Sequence, residues 1–176
     1  MIRLEYFKQS DFSQLIEWIN TEELMMNWSG RMFNFPLTKD SLAWYIDDTN
    51  DLKKSDAFIY KAIDEDNHVV GHISLGGISQ TNKNARISRV FVSKEGRGKA
   101  ACQQMVKAVL KIGFEELKLH RIGLGVYDTN KAATKCYEKA GLKIEGVTRD
   151  SILYNGNYWS MIEMSMLEEE WFALNA

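Results

Sequence analysis

The segment from residue 85 to residue 126 predicts a strand, a loop, a long helix and a second strand, in that order. The first strand covers 85–92 and ends in an apolar run. Apolar residues then recur at helical spacing over 102–117, and 121–126 again has the character of a strand. Two strands of one sheet that are joined by a helix are parallel, with a right-handed connection. We therefore expect a parallel β-α-β unit at the centre of the fold.

The rest of the chain predicts a mixed α+β fold in a single domain, 1–176. The predicted strands are 2–7, 57–63, 68–75 (ended by Gly76 and Gly77) and a hairpin around Asn155-Gly156, and the predicted helices are 11–20, 38–48 and 131–140. Residues 21–36 carry large apolar side chains without a clear period, which predicts a loop or short helix over the core or over a substrate pocket. These segments predict a mostly antiparallel sheet of about seven strands, flanked by helices.

Composition excludes several classes of protein. No apolar run approaches the ~18 residues of a membrane helix, and a net charge of −2 argues against a nucleic-acid partner. The two cysteines, Cys102 and Cys136, are widely spaced and predict neither a disulfide framework nor a zinc site. The three histidines, His68, His72 and His120, follow no metal-ligand pattern. Without a signal-peptide segment at the start, we expect a cytoplasmic protein that needs no metal.

The loop before the long helix predicts an anion site. It is rich in small residues, includes Gly96 and Gly98, and carries the cations Arg97 and Lys99. A helix start offers unpaired N–H groups and a positive dipole end, which suit a phosphate. An ordinary tight turn between strand and helix is the alternative interpretation.

Two nucleotide-binding motifs fit this loop poorly. A Walker A loop needs glycine and Ser or Thr at positions that hold Ser93 and Ala100 here. Gly96, Gly98 and Ala101 match a dinucleotide fingerprint, but no strand ending in an acidic residue follows at the required distance. A Rossmann enzyme is therefore a weak alternative.

The residues after the second strand of the crossover carry a family resemblance. They are His120-Arg121-Ile122, Val126 to Asn130, Ala133, Tyr137-Glu138-Lys139, Gly141, Glu145-Gly146, Arg149 and Asn155 to Tyr158. With the basic loop at 97–102, this ordered set resembles the GNAT superfamily of acyl-CoA-dependent N-acyltransferases. Within it, the chain is most similar to spermidine acetyltransferases and ribosomal-protein N-terminal acetyltransferases. Ala100 and Cys102 stand where the family loop has glycine and Gly or Ala.

The resemblance implies a GNAT-like fold, acetyl-CoA as co-substrate and no metal. It also implies that the strands around the loop part, so that the first strand pairs with the pantetheine arm while the loop binds the pyrophosphate. The implied cofactor-binding residues are Val90, Phe91, Val92, Arg97, Gly98, Lys99, Ala100, Ala101, Cys102 and Asn130. Tyr137 is implied as the general acid that protonates the leaving thiolate. From the residues alone, Tyr137 would be interpreted as a core aromatic on the stripe of Ala133, Cys136 and Ala140. Asn130 is equally suited to cap the following helix, a role compatible with binding.

The acceptor and the base stay open. The resemblance implies acetyl transfer to a primary amine, either a protein N-terminus or a small molecule, by direct attack in a ternary complex. A polyamine is the alternative acceptor, and a non-catalytic acyl-CoA-binding or interaction module is the alternative of another class. A homodimer is an open possibility. No carboxylate lies on 85–89, so the candidate bases are Glu22, Glu23, Asp150 and Glu163, or a water held by backbone carbonyls. Trp28, Phe33 and Trp44 line a groove or belong to the core.

Overall fold

Seven strands form one sheet in the computed structural model, which describes residues 1–176. The strands are β1 (Arg3–Tyr6), β2 (Phe58–Ile63), β3 (Val69–Ser79), β4 (Asn84–Val92), β5 (Arg121–Tyr127), β6 (Lys143–Tyr154) and β7 (Asn157–Leu167). Their order across the sheet is β1, β2, β3, β4, β5, β7, β6. Every neighbouring pair is antiparallel except β4 and β5, which are parallel. The predicted α+β class and the central parallel unit are confirmed.

Six helices pack on the sheet. They are α1 (Phe12–Trp18), α2 (Glu22–Ser29), α3 (Lys39–Ile46), α4 (Ala101–Lys111), α5 (Lys131–Ala140) and α6 (Glu168–Leu174). A short 3₁₀ turn (Gln9–Asp11) precedes α1, and a π-helical turn (Ile112–Glu116) continues α4. None of these helices has the length and apolar character needed to cross a lipid bilayer.

β3 ends later than predicted, and the segment 21–36 shows which of its two predicted alternatives is present. β3 does not end at Gly76 and Gly77 but continues to Ser79, because Gly77 adopts a φ of +58° within an irregularity of the pairing with β4. The unpatterned segment 21–36 contains α2, which agrees with the predicted short helix. Thr21 caps it by accepting a hydrogen bond from the backbone N–H of Leu24 at 3.2 Å.

The helices cover opposite faces of the sheet. On one face, here called the α4 face, α4 and α5 bury the larger core, which includes Met105, Val109 and Tyr137. On the other, the α2 face, helices α1, α2 and α3 bury a second core that includes Trp28 and Tyr45. The sheet therefore has a helical layer on each side, and anything that reaches it between the layers must enter at an edge or an opening.

Such an opening lies between β4 and β5. The two strands pair at only three positions, from Asn84 with Arg121 to Arg86 with Gly123. Beyond these positions β5 stays paired with β7 through Tyr127, while β4 stays paired with β3. Arg89 has a φ of +52° at the point where the register with β3 shifts, which marks a bulge that bends β4 away. A wedge-shaped gap therefore separates the C-terminal halves of the two parallel strands.

Gly141, which ends α5, is a glycine at which we expect a substitution to destabilise the fold. Its φ is +105°, and an added Cβ would lie 2.6 Å from Met166 Cε and 2.8 Å from Leu174 Cδ1. We expect Gly141→Ala to lower the free energy of unfolding by about 1–3 kcal/mol, measured by denaturant titration. Gly146→Ala, where nothing lies within 4 Å of the new Cβ, should change it by less than about 0.5 kcal/mol. Equal losses in both variants would contradict this account of the α5 terminus.

Candidate functional site

The loop between β4 and α4 presents a row of free backbone N–H groups. Gly98 and Ala100 have φ values of +77° and +55°, on either side of Lys99. Left-handed residues in a turn of this kind are typical of backbone concavities that bind anions through successive N–H groups. None of the N–H groups from Gly98 to Gln103 donates to another group of the chain. Arg97 and Lys99 are exposed beside them, so the loop can hold an anion of high charge at the positive end of α4.

Two residues fix the loop against β3. The backbone N–H of Ser93 donates to the Val70 carbonyl at 2.8 Å, and that of Gly96 donates to the Ser93 carbonyl at 3.2 Å. A Cβ on Gly96 would lie 3.0 Å from the Val70 carbonyl oxygen and 3.0 Å from Val92 Cγ1. A side chain at this position would crowd the β3 backbone, and the N–H row is built on a loop already anchored to the sheet.

Val90, Phe91 and Val92 form the wall of the gap on the β4 side. Val90 and Val92 pack against the core of the α4 face, and Phe91 packs on the α2 face with its ring 5.5 Å from that of Trp18. One backbone edge of this segment pairs with β3, and the opposite edge has no strand partner. Unpaired backbone edges need polar partners when they are covered. This edge suits a ligand that carries amides of its own.

α5 follows β5, on the other side of the gap, and carries the two predicted site residues Asn130 and Tyr137. Asn130 caps α5, because its Oδ1 accepts from the backbone N–H of Ala133 at 3.2 Å. This confirms the capping role and leaves the side-chain N–H₂ group pointing to no protein acceptor. Tyr137 is 6% exposed, and burial alone raises the pKa of its phenol. The phenol is therefore protonated throughout the neutral range, as a proton donor must be.

Cys102 and Cys136 form a disulfide that joins α4 to α5. The sequence predicted no disulfide framework, and the structure has this one bond, so neither cysteine is a free thiol. Their separation of 34 residues gave no local signal, because only the packing of the two helices brings them together. The bond links the first turn of α4, beside the N–H row, to the residue before Tyr137. A disulfide is also uncommon in the cytosol, so it stands against the predicted location.

Glu163 is the predicted base candidate that lies beside the gap. A Cβ on Gly125 of β5 would lie 3.4 Å from Glu163 Oε1. The carboxylate is paired with Arg86 of β4, with 3.0 Å between Nη2 and Oε2. The other candidates lie at the start of α2 (Glu22, Glu23) and on exposed β6 (Asp150). Each of these carboxylates is either paired or solvated, so the structure singles out no strong base.

The three aromatic residues named from sequence divide between core and surface. Trp28 and Phe33 are buried and stack with their centroids 5.4 Å apart. Trp44 is 63% exposed and, with Phe33 and Phe35, lines an open groove of about 580 Å³. The groove interpretation therefore holds for Phe33 and Trp44, and the core interpretation for Trp28.

A buried polar group on the α2 face was missed by the sequence analysis. Arg89, at the bulge of β4, lies over the ring of Tyr45 with 5.2 Å between Cζ and the ring centroid. Tyr45 Oη is hydrogen-bonded to His72 Nε2 at 3.2 Å, and Trp28 Nε1 donates to the Arg89 carbonyl at 3.0 Å. The available signal was the odd spacing of Arg86 and Arg89, since two polar residues three apart cannot share a face of a regular strand.

A turn between β2 and β3 brings possible metal ligands together, although the sequence predicted no metal site. The ligand atoms of Asp64, Asp66 and His68 lie within 4.8 Å of one another. Asp64 Oδ1 accepts from the backbone N–H groups of Asp66 at 3.0 Å and His68 at 2.9 Å. These hydrogen bonds of an exposed turn account for the arrangement.

Comparison with known proteins identifies the family. The model of the acetyltransferase (GNAT) domain matches residues 2–143. The chain belongs to the GNAT acetyltransferase family. The resemblance inferred from the sequence motifs is confirmed, and the anion loop, the gap and Tyr137 lie within the matched region.

Individual relatives agree with this membership. The chain is 29% identical over 154 residues to the N-acetyltransferase YokL of Bacillus subtilis, covering 88% of this chain and 83% of YokL. It is 27% identical over 108 residues to spermidine N(1)-acetyltransferase of Escherichia coli, covering 61% and 58%. Alignments with YdaF and YjcK of Bacillus subtilis span 57% and 50% of those proteins, about half their length.

A solved structure shares the whole fold. Spermidine N-acetyltransferase of Vibrio cholerae, in a complex with CoA and spermine, superposes with a TM-score of 0.82 at 20% identity. The superposition covers 97% of this chain and 98% of that one. The predicted GNAT-like fold is thereby confirmed.

The disulfide between α4 and α5 makes stability dependent on reductant. It closes a loop with a sequence separation of 34 residues, and breaking it should lower the free energy of unfolding by about 3–4 kcal/mol. Denaturant titration with and without dithiothreitol measures the difference. The Cys102→Ser/Cys136→Ser variant should match the reduced protein and not respond to dithiothreitol. If dithiothreitol leaves the wild-type transition in place while thiol titration shows two free cysteines, the stabilising role is wrong.

Proposed function

We propose that this protein is an acetyl-CoA-dependent N-acetyltransferase that acts on a primary amine by direct attack in a ternary complex. The observation that carries the proposal is the gap between β4 and β5, with the free N–H row from Gly98 to Gln103 at its mouth. An unpaired strand edge next to an anion site matches a molecule with amides along one arm and a pyrophosphate at its base. Acetyl-CoA has this chemistry.

The residues present fit acetyl-CoA at each part of the molecule. The unpaired edge of β4 at Val90, Phe91 and Val92 would pair with the pantetheine amides. The N–H groups of Gly98, Lys99, Ala100, Ala101 and Cys102 would bind the pyrophosphate, and the charges of Arg97 and Lys99 would neutralise it. The free side-chain N–H₂ group of Asn130 would donate a hydrogen bond near the thioester.

Tyr137 is proposed as the acid. Acyl transfer from a thioester leaves a thiolate whose conjugate thiol has a pKa of about 8.5. The phenol of Tyr137 is protonated at neutral pH and has no competing partner within the chain, so it can donate to that sulfur as the C–S bond breaks. Both cysteines are held in the disulfide, which leaves no thiol to carry the acetyl group and favours direct attack by the amine.

The acceptor is proposed to be a weakly basic amine rather than a strongly basic one. Deprotonating an alkylamine of pKa about 10.4 at pH 7 costs roughly 4–5 kcal/mol, against about 1 kcal/mol for an α-amine of pKa about 8. Since every candidate carboxylate is paired or solvated, the structure offers no strong base, and the α-amine needs less help to lose its proton.

A polyamine is the second candidate, because relatives and structural neighbours are named for spermidine. Thiol release from acetyl-CoA in the presence of a panel of amines distinguishes an enzyme acting on either acceptor from a non-catalytic acyl-CoA-binding module, which would release no thiol. Location in the cytoplasm and a homodimer stay predictions.

Charge reversal at the loop should remove cofactor binding. Arg97→Glu/Lys99→Glu places two anions beside the N–H row, and we expect CoA affinity to fall by about 10–100-fold or more. Isothermal titration and the shift of the thermal midpoint by CoA measure the effect. Lys53→Glu/Lys54→Glu, which makes the same charge change on an exposed loop before β2, should bind CoA like the wild type. Retention of full affinity in the Arg97/Lys99 variant would place the phosphates elsewhere.

Removing the Tyr137 hydroxyl should slow turnover without weakening the fold. We expect Tyr137→Phe to lower kcat by about 10²–10⁴-fold, with little change in CoA affinity or thermal midpoint. Tyr60→Phe is a matched control, because Tyr60 is also 6% exposed in the same core but lies on β2, away from the gap. Near-wild-type turnover in Tyr137→Phe would reduce Tyr137 to a core aromatic.

A further inference from the structure

Arg89 is a cation without an anionic partner. It occurs in none of the ion pairs of the chain, and its Nε is buried and makes no hydrogen bond. Its guanidinium lies over the Tyr45 ring, in contact with the core of the α2 face. Arg89 is half-buried, so its charge is partly removed from water without a partner, and a ligand that supplies the missing anion would be attracted here.

The neighbours of Arg89 are neutral and leave its charge uncompensated. Burial, followed by the charge of Arg89, lowers the pKa of His72 to about 3. Burial also raises the pKa of Tyr45. Both side chains are therefore uncharged at neutral pH. Their hydrogen bond at 3.2 Å occupies His72 Nε2 and leaves His72 Nδ1 buried without a partner. Arg89, Tyr45 and His72 together therefore form a polar group with one net positive charge.

Arg89 lies on the side from which an acceptor must come. The anion loop and Tyr137 belong to the α4 face. A thioester placed between them and β4 is covered on that face, so an amine reaches it from the α2 face. Arg89 is on β4 within the gap, three residues beyond its last pair with β5, and its carbonyl accepts from Trp28 of α2. Arg89 therefore belongs to the β4 wall of the gap, and its guanidinium lies on the α2 face of that wall, over Tyr45.

We infer that Arg89 binds a carboxylate carried by the acceptor amine. This rests on the proposed N-acetyltransferase function and names its substrate class: free amino acids, through the α-carboxylate, or peptides with an acidic N-terminal residue, through the side chain. A guanidinium holds a carboxylate through two parallel hydrogen bonds, which also orients the amine. A polyamine brings a second ammonium toward the same cation and is disfavoured by repulsion.

Pairs of amines that carry either a carboxylate or the corresponding amide test the inference, with kcat/KM calculated for the unprotonated amine because a neighbouring carboxylate also raises the amine pKa. Alanine is compared with alaninamide, and aspartyl-alaninamide with asparaginyl-alaninamide, with spermidine as a further acceptor. We expect the wild type to prefer at least one acid over its amide by about 10-fold or more in kcat/KM. The pair that shows the preference distinguishes the α-carboxylate from the side-chain carboxylate. Arg89→Gln should lower that preference by about 10–100-fold through the KM of the acid, and Arg89→Lys should restore part of it.

Arg121→Gln is the matched control. Arg121 is on neighbouring β5 and is paired with Glu145, so its loss should leave the acid-to-amide ratio unchanged. Equal use of acid and amide by the wild type, or preference for spermidine over every acid, overturns the inference even if an Arg89 variant does not fold. A ratio that survives in folded Arg89→Gln overturns it as well. If the wild type releases thiol with no amine while binding CoA, the proposed function itself is wrong.

Discussion

The early parting of β4 and β5 is the constraint on which the rest of the site depends. Parallel strands joined by a helix would ordinarily pair along their length, but here pairing stops after Arg86 and Gly123. The bulge at Arg89 keeps β4 on β3, and β7 keeps β5 at a distance. Because each strand retains its other neighbour, the sheet holds the gap open without a ligand. A pantetheine arm can then pair with a strand edge that is already in place.

The anion loop is built at some cost in backbone strain. Ala100 has a φ of +55°, and a residue with a Cβ gives up about 1 kcal/mol or more in that region. The left-handed conformations of Gly98 and Ala100 are typical of a backbone anion-binding turn, and the first turn of α4 adds its own unpaired N–H groups. The anchored Ser93 and the Cys102–Cys136 bond hold both ends of the segment. The neighbouring structure therefore holds the loop in its strained conformation, so the loop is preorganised for a pyrophosphate.

The sequence predicted those parts of the molecule that local signals determine. Helical spacing and Gly141 identify α5 at 131–140, and Asn155-Gly156 identifies the last hairpin, because both depend on neighbouring residues. The row at 97–102 identifies the anion loop for the same reason. The bulge at Arg89 and the disulfide could not be predicted, since they depend on strands and helices that meet only in the folded chain. The polar group around Arg89 went unnoticed because α2, which covers it in part, comes from the segment 21–36 that has no clear period.

The two cationic regions of the site differ in what they can select. Arg97 and Lys99 are exposed beside a row of backbone donors on the α4 face, so they attract any highly charged anion, and specificity comes from the N–H geometry. Arg89 is held against Tyr45 and His72 on the α2 face, where a low dielectric strengthens its pairing with one carboxylate and penalises a second cation. A gap with one anion site on each face suits two separate substrates that meet between the strands. With no free cysteine to carry the acetyl group, such an arrangement favours direct transfer between them.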